Sequence, residues 1–159
     1  MRRIVMVVVV LVFATLVMAL QGSSDSAGDK GAIEKAVLEA NARMTQAGNS
    51  LDVDKFFAFI LDSDKGLIIQ DGVLFKTRQD AYEAVKQGFQ GISKLDRAYD
   101  QTYVTVLSQD VALLTGTGKT TATLSDDRTF TGPFAASMIF VHKEGQWKLL
   151  QGHYSTPNP

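Results

Sequence analysis

The 159-residue chain contains no cysteine. That absence excludes disulfides, thiol nucleophiles, thiolate metal sites and any lipid carried on a cysteine, so stability has to come from the core. Histidine is almost as scarce, with two residues, His142 and His153. No cluster of histidine with acidic residues at ligand spacing accompanies them, and neither a metal site nor another cofactor is expected. Charge of neither sign dominates: the formal net charge is −1 and charged residues make up 21% of the chain. Such a balance gives no electrostatic footprint for nucleic acid. What the chain does have is 45% hydrophobic residues, enough at this length for one domain that buries its own core.

The first twenty residues, MRRIVMVVVVLVFATLVMAL, place Arg2 and Arg3 before an uncharged apolar run from Ile4 to Leu20. This is the layout of an export signal, and residues 1–22 are read as one, with Ala19 and Gly22 near a plausible cut. A retained membrane anchor is the alternative, because the apolar run is just short of a comfortable span. Periplasmic or secreted localisation follows from the first reading. Removing the two arginines takes the formal net charge from −1 to −3. Residues 23–31, rich in Ser, Gly and Asp, read as a flexible linker, and residues 32–156 as the folded domain.

From Ile33 the apolar residues Val37, Ala40, Met44 and Ala47 recur at helical spacing until Gly48-Asn49-Ser50. A second helix is expected with Ser50 or Asp52 as N-cap and Val53, Phe56, Phe57, Ile60 and Leu61 as its buried stripe. Asp71-Gly72 separates LIIQ from VLFK and predicts a short hairpin through a type I′ turn. Thr77, with Asp80 three residues on, then opens a third helix. The remainder, rich in Thr, Val, Tyr and Phe, predicts a meander of four long strands: 99–107, 111–124, 129–143 and 146–155. The result is an α+β domain with helices on one side of a curved antiparallel sheet. The stretch TGTGKTT, Thr115 to Thr121, imitates the tail of a phosphate-binding loop, but Leu113 stands where that motif needs glycine, and the context is a strand rather than a strand-to-helix turn. Its glycines are expected to ease a bend.

This element order, together with the closing stretch FVHKEGQWKLLQGHYS, resembles the nuclear transport factor 2-like superfamily, in particular its SnoaL-like and ketosteroid-isomerase-like members. The resemblance implies a cone-shaped domain in which three helices cover a bent sheet around a pocket, usually paired as a dimer through the sheet. Its members include isomerases, dehydratases, cyclases, assembly domains and non-catalytic binding proteins, so the fold alone does not assign a function.

If Glu144-Gly145 forms a two-residue turn, cross-strand partners can be counted outward from it. Strict alternation then puts Trp147, Leu149, Gln151, His153 and Ser155 on the helix-facing side, with His142, Phe140, Met138 and Ala136. Trp147 lies at its buried end, and Gln151, His153 and Ser155 at an open, polar end. On this count His153 is the candidate general acid or base, while Trp147, Gln151 and Ser155 are candidate ligand contacts. The isomerase-like relatives add Tyr103, whose phenol is expected in the cavity. Ile139, Val141, Leu150 and Tyr154 form the opposite face, a candidate homodimer surface. No acidic residue can be placed inside, so a catalytic aspartate is not carried over. The function expected is therefore an exported binding protein for a small, partly apolar molecule. An isomerase, dehydratase or cyclase using His153, and a homo-oligomeric assembly module, are the alternatives.

Overall fold

A computed structural model describes residues 29–62, 65 and 67–157. The expected export segment lies outside these residues. Among the described residues no helix is long and apolar enough to cross a membrane.

Helix α1 occupies 29–49, so the last residues assigned to the linker are already helical. Val37, Ala40, Met44 and Ala47 are buried along one side of it, as their spacing demands. Helix α2, Val53–Phe57, is capped by Asp52, whose Oδ1 accepts the Lys55 N–H at 2.9 Å. It stops earlier than its apolar stripe predicts because the chain beyond it finds other partners. The Leu61 N–H donates to the Leu149 carbonyl at 2.9 Å and the Leu149 N–H to that of Phe59 at 2.8 Å, so strand β6 satisfies the backbone that a longer helix would have used. Strands β1, Ile68–Gln70, and β2, Val73–Phe75, form the expected hairpin, with positive φ at Asp71 and Gly72. Helix α3, Arg78–Gly88, begins with a complete capping box between Thr77 and Asp80.

The meander follows as β3, Ile92–Ser108; β4, Val111–Leu124; β5, Thr129–Lys143; and β6, Gln146–Ser155. The spatial order is β2-β1-β6-β5-β4-β3, with β1 lying parallel to β6 and every other pair antiparallel. The short hairpin thus extends the sheet instead of standing apart from it. The TGTGKTT segment lies within β4, opposite the register irregularity between Tyr99 and Gln101 of β3. A Cβ on Gly118 would run into the Ala98 carbonyl oxygen and stand 2.8 Å from the Tyr99 Cα, while one on Gly116 would stand 2.7 Å from the Gln101 carbonyl oxygen. The two glycines let β3 fold closely over β4.

The core fills the space between α1, α2 and the concave face of the sheet. Phe57, Met44, Leu67, Leu114, Met138, Phe140 and Leu149 are its largest fully buried side chains. Each such side chain contributes about 1.5–3 kcal/mol when removed from water.

Candidate functional site

The concave sheet face and the helices do not meet everywhere. Between them opens a cavity of about 490 Å³. Most of its wall is apolar: Phe56 and Phe57 from α2, Phe75 from β2, Val85 and Phe89 from α3 and its end, and Leu95 from β3. At one side it is polar, with Asn49, Asp71, Arg97, Tyr99, Thr120 and Tyr154 exposed to the same space.

Arg97 is the centre of this polar side, and its neighbours fix its position. The Asn49 side chain, at the end of α1, accepts the Arg97 N–H through Oδ1 at 2.9 Å and donates through Nδ2 to the Arg97 carbonyl at 3.0 Å. The guanidinium Nε donates to Thr120 Oγ1 at 3.1 Å. Its carbon lies 4.5 Å from the Phe134 ring centroid and 5.3 Å from that of Tyr154, within cation–π range of both.

The two phenols are kept protonated. Burial raises the pKa of Tyr154, with the Arg97 charge opposing it, and its hydroxyl donates to Met138 Sδ at 3.1 Å. Burial also raises Tyr99, and the neighbouring Tyr154 adds to the shift. Next to Tyr99, Asn41 is 4% exposed and its Oδ1 has no hydrogen-bond partner among the described residues. Asp71 behaves in the opposite way. Its Oδ1 accepts the Thr156 N–H at 2.8 Å and the Thr156 hydroxyl at 2.9 Å. The backbone hydrogen bond is the main reason that its pKa is lowered, so it stays a carboxylate.

Strict alternation misplaces the polar end of β6. The pairing His142↔Trp147 holds as counted from the turn, where Glu144 and Gly145 both have positive φ. Beyond it, Phe140 pairs with Leu149 but Ile139 pairs with Gln151, which leaves Leu150 as an extra residue in β6. This bulge reverses the parity of everything after it. Gly152 and Tyr154 are buried on the concave side, whereas His153 and Ser155 are exposed on the convex side, opposite Ser137 and Ala135. Gln151 is half-buried opposite Ile139 and does not line the cavity. The expected inward placement of Gln151, His153 and Ser155 is thereby corrected, as is the outward placement of Tyr154. Ile139 and Val141, half-buried, and Leu150, exposed, do lie on the convex side as expected.

The same effect explains Tyr103. A register shift between Tyr99 and Gln101 makes Asp100 the extra residue of β3, so Tyr99 points inward while Tyr103 is 64% exposed on the outer face. Trp147 is partly buried against the core, its ring 5.3 Å from that of His142, and it does not reach the cavity. His142, counted on the helix-facing side, is exposed next to the turn, with Nδ1 3.5 Å from Asp110 Oδ1, and does not line the cavity. Among the described residues no group of three His, Asp or Glu side chains converges on a common point.

Sequence reasoning missed Arg97, because the strand expected from residue 99 begins at Ile92, but one signal was available. Leu95, Arg97 and Tyr99 alternate, so an arginine shares a strand face with an apolar and an aromatic residue. That is an unusual place for a charge, and it is the signal that locates the site.

Residues 37–159 match the family model of the SnoaL-like domain. No curated protein matches the chain. Among solved structures, it is similar to a scytalone dehydratase candidate from Novosphingobium aromaticivorans, with 10% identity, TM-score 0.75, and coverage of 83% of this chain and 89% of that one. It is similar to a nuclear transport factor 2-like superfamily protein from Salmonella enterica, with 16% identity, TM-score 0.71, and coverage of 84% and 94%. A ketosteroid isomerase-like protein from Erwinia carotovora atroseptica also aligns, with 16% identity, TM-score 0.65, and coverage of 79% and 96%. At such identities the likeness is one of fold. With the family model spanning most of the chain, and helices over a bent six-stranded sheet matching these neighbours, the protein belongs to the SnoaL-like family of the nuclear transport factor 2-like superfamily.

Proposed function

We propose that the protein is an exported small-molecule-binding protein whose cavity holds a partly apolar organic molecule without covalent chemistry. The observation that carries this reading is the cavity itself. Its volume of about 490 Å³ is within the range of sites that enclose small organic ligands, and a few polar groups converge at one side of an aromatic wall. Binding is favoured over proton transfer by the character of those groups. Arg97 is a fixed cationic donor, the hydroxyls of Tyr99 and Tyr154 stay protonated and are both directed to Met138 Sδ, and Asp71 is a carboxylate of lowered pKa, hence a weak base.

An isomerase, dehydratase or cyclase is the second reading. It is supported by the placement of Asp71, Tyr99 and Tyr154 in one cavity, and by the names of two structural neighbours. In it the acid–base role expected of His153 passes to Asp71. Pairing of two copies through the convex face at Ile139, Val141 and Leu150 is compatible with both readings and, as a main role, gives the assembly-module alternative.

The test is thermal unfolding of the mature protein with 2-naphthalenemethanol, a neutral aromatic probe. The midpoint rises with probe concentration in the wild type, by the linkage between binding and folding. It does not respond in Ala84→Trp, where an indole fills the cavity. No shift in the wild type with either this alcohol or its carboxylate counterpart, 2-naphthoate, sinks the proposal. Deuterium uptake from D2O into a ligand extracted from the purified protein would promote the second reading instead.

A further inference from the structure

Resting on the reading of the cavity as a small-molecule site, we propose that its ligand carries a single carboxylate, received by Arg97, on an apolar and preferably aromatic body.

The argument begins with what Arg97 lacks. An arginine side chain cannot shed its proton, so a half-buried guanidinium needs partners for its charge. Among the described residues no carboxylate oxygen stands within 4.0 Å of it, and its only side-chain hydrogen bond is the one from Nε to Thr120. Of the other arginines among the described residues, Arg78 Nη2 donates to the Phe57 carbonyl at 2.9 Å, Arg128 pairs with Asp126 at 2.8 Å, and Arg43 is exposed on α1 and does not line the cavity. Arg97 is nevertheless held firmly. Asn49 clamps its backbone, Thr120 anchors Nε, and the Phe134 and Tyr154 rings support the guanidinium. The Nη groups, which form the far side of the fork, have no hydrogen-bond partner among the described residues, and the residue lines the cavity. A preorganised planar donor is matched best by a planar oxyanion that accepts two parallel hydrogen bonds.

The rest of the cavity narrows the class. Asp71 shares its wall and is an ionised carboxylate already committed to Thr156. With one cation and one anion on the wall, which already feel each other's charge, a monocarboxylate leaves one net negative charge and a dianion such as a phosphate monoester leaves two, so the monoanion is the better matched of the two. The aromatic walls at Phe56, Phe57, Phe75 and Phe89 take the apolar body.

The experiment compares 2-naphthoate with 2-naphthalenemethanol by isothermal titration calorimetry on the wild type, Arg97→Gln and Arg97→Lys, with folding of each checked by near-UV circular dichroism. The wild type binds the carboxylate at least about tenfold more tightly, the lower end expected of a charged hydrogen-bonded pair. Arg97→Gln levels the two probes while leaving the affinity for the alcohol in place. Arg97→Lys keeps the charge but not the fork and retains part of the preference. Equal binding by the wild type overturns the carboxylate inference and leaves the cavity reading standing. Failure of both probes overturns both. A full preference surviving in Arg97→Gln removes Arg97 as the receptor. Should that variant not fold, Arg97→Lys decides, since an undiminished preference there excludes the fork.

Discussion

Replacing Gly118 with alanine tests how the sheet builds the site. The added methyl would collide with the Ala98 carbonyl oxygen and approach the Tyr99 Cα to 2.8 Å and the Phe134 Cε1 to 2.9 Å. Two of these atoms are backbone of β3 and cannot rotate aside. Overpacking of this kind costs about 1–3 kcal/mol. Against it stands the smaller unfolded-state entropy of alanine, which returns about 0.4–1 kcal/mol. The net expectation is a loss of about 1–2 kcal/mol. At about 2–4 °C per kcal/mol for a chain of this size, Tm falls by roughly 2–8 °C. Gly132→Ala is the control, because a Cβ there meets nothing within 4 Å. Urea unfolding of both variants, fitted with a common slope, gives the difference directly. The backbone pushed away by the methyl carries Arg97 and Tyr99, so Gly118→Ala should weaken binding of 2-naphthoate as well. If Gly118→Ala unfolds at the same urea concentration as Gly132→Ala, the close approach of β3 and β4 is not what positions this wall.

Three further outcomes are expected. His153→Ala should change stability by no more than about 0.5 kcal/mol and leave probe affinity unchanged, as for an exposed residue; a loss of binding by calorimetry would restore its inward placement. Stability should be maintained up to the ordinary tyrosine pKa and fall as pH rises beyond it. The raised pKa values of Tyr99 and Tyr154 mean that the folded state holds protons that the unfolded state gives up, so alkali favours unfolding. Absorbance of phenolate at alkaline pH should show these two tyrosines ionising only together with loss of near-UV circular dichroism, and their free titration in a folded protein would refute it. Finally, Ile139→Lys combined with Leu150→Lys should yield monomers by light scattering if the convex face joins two copies, and an unchanged mass would exclude that surface.

The order of elements was legible because each carries its own local cause. Thr77 and Asp80 form their capping box with no help from distant residues, Asp71-Gly72 and Glu144-Gly145 turn where positive φ is tolerated, and Val37, Ala40 and Met44 repeat at the period of a helix. The concave half of β5, with Ala136, Met138 and Phe140, was legible from period-two alternation, which no bulge in that strand interrupts. Residues on either side of Leu150 and Asp100 were another matter. A single extra residue reverses every face beyond it, and a bulge exists only as a mismatch between two paired strands. Nothing in QWKLLQGHYS or AYDQTYV says which residue will have no partner.

The sequence by itself thus determined the order of helices, turns and strands, which follows from interactions between near neighbours and from the period of burial, and its closing stretch carried the resemblance to the family. The early end of α2 and the start of β3 at Ile92 lay beyond it. Only the tertiary structure decided which histidine or tyrosine meets the cavity. The folding of β3 over β4 and the two bulges took His153 and Tyr103 to the outside, brought Tyr99 and Tyr154 in, and left Arg97 held by Asn49, 48 positions away, with no partner for its outer donors among the described residues. That charge in an aromatic wall is created by cross-strand register and long-range contacts, and it marks the site.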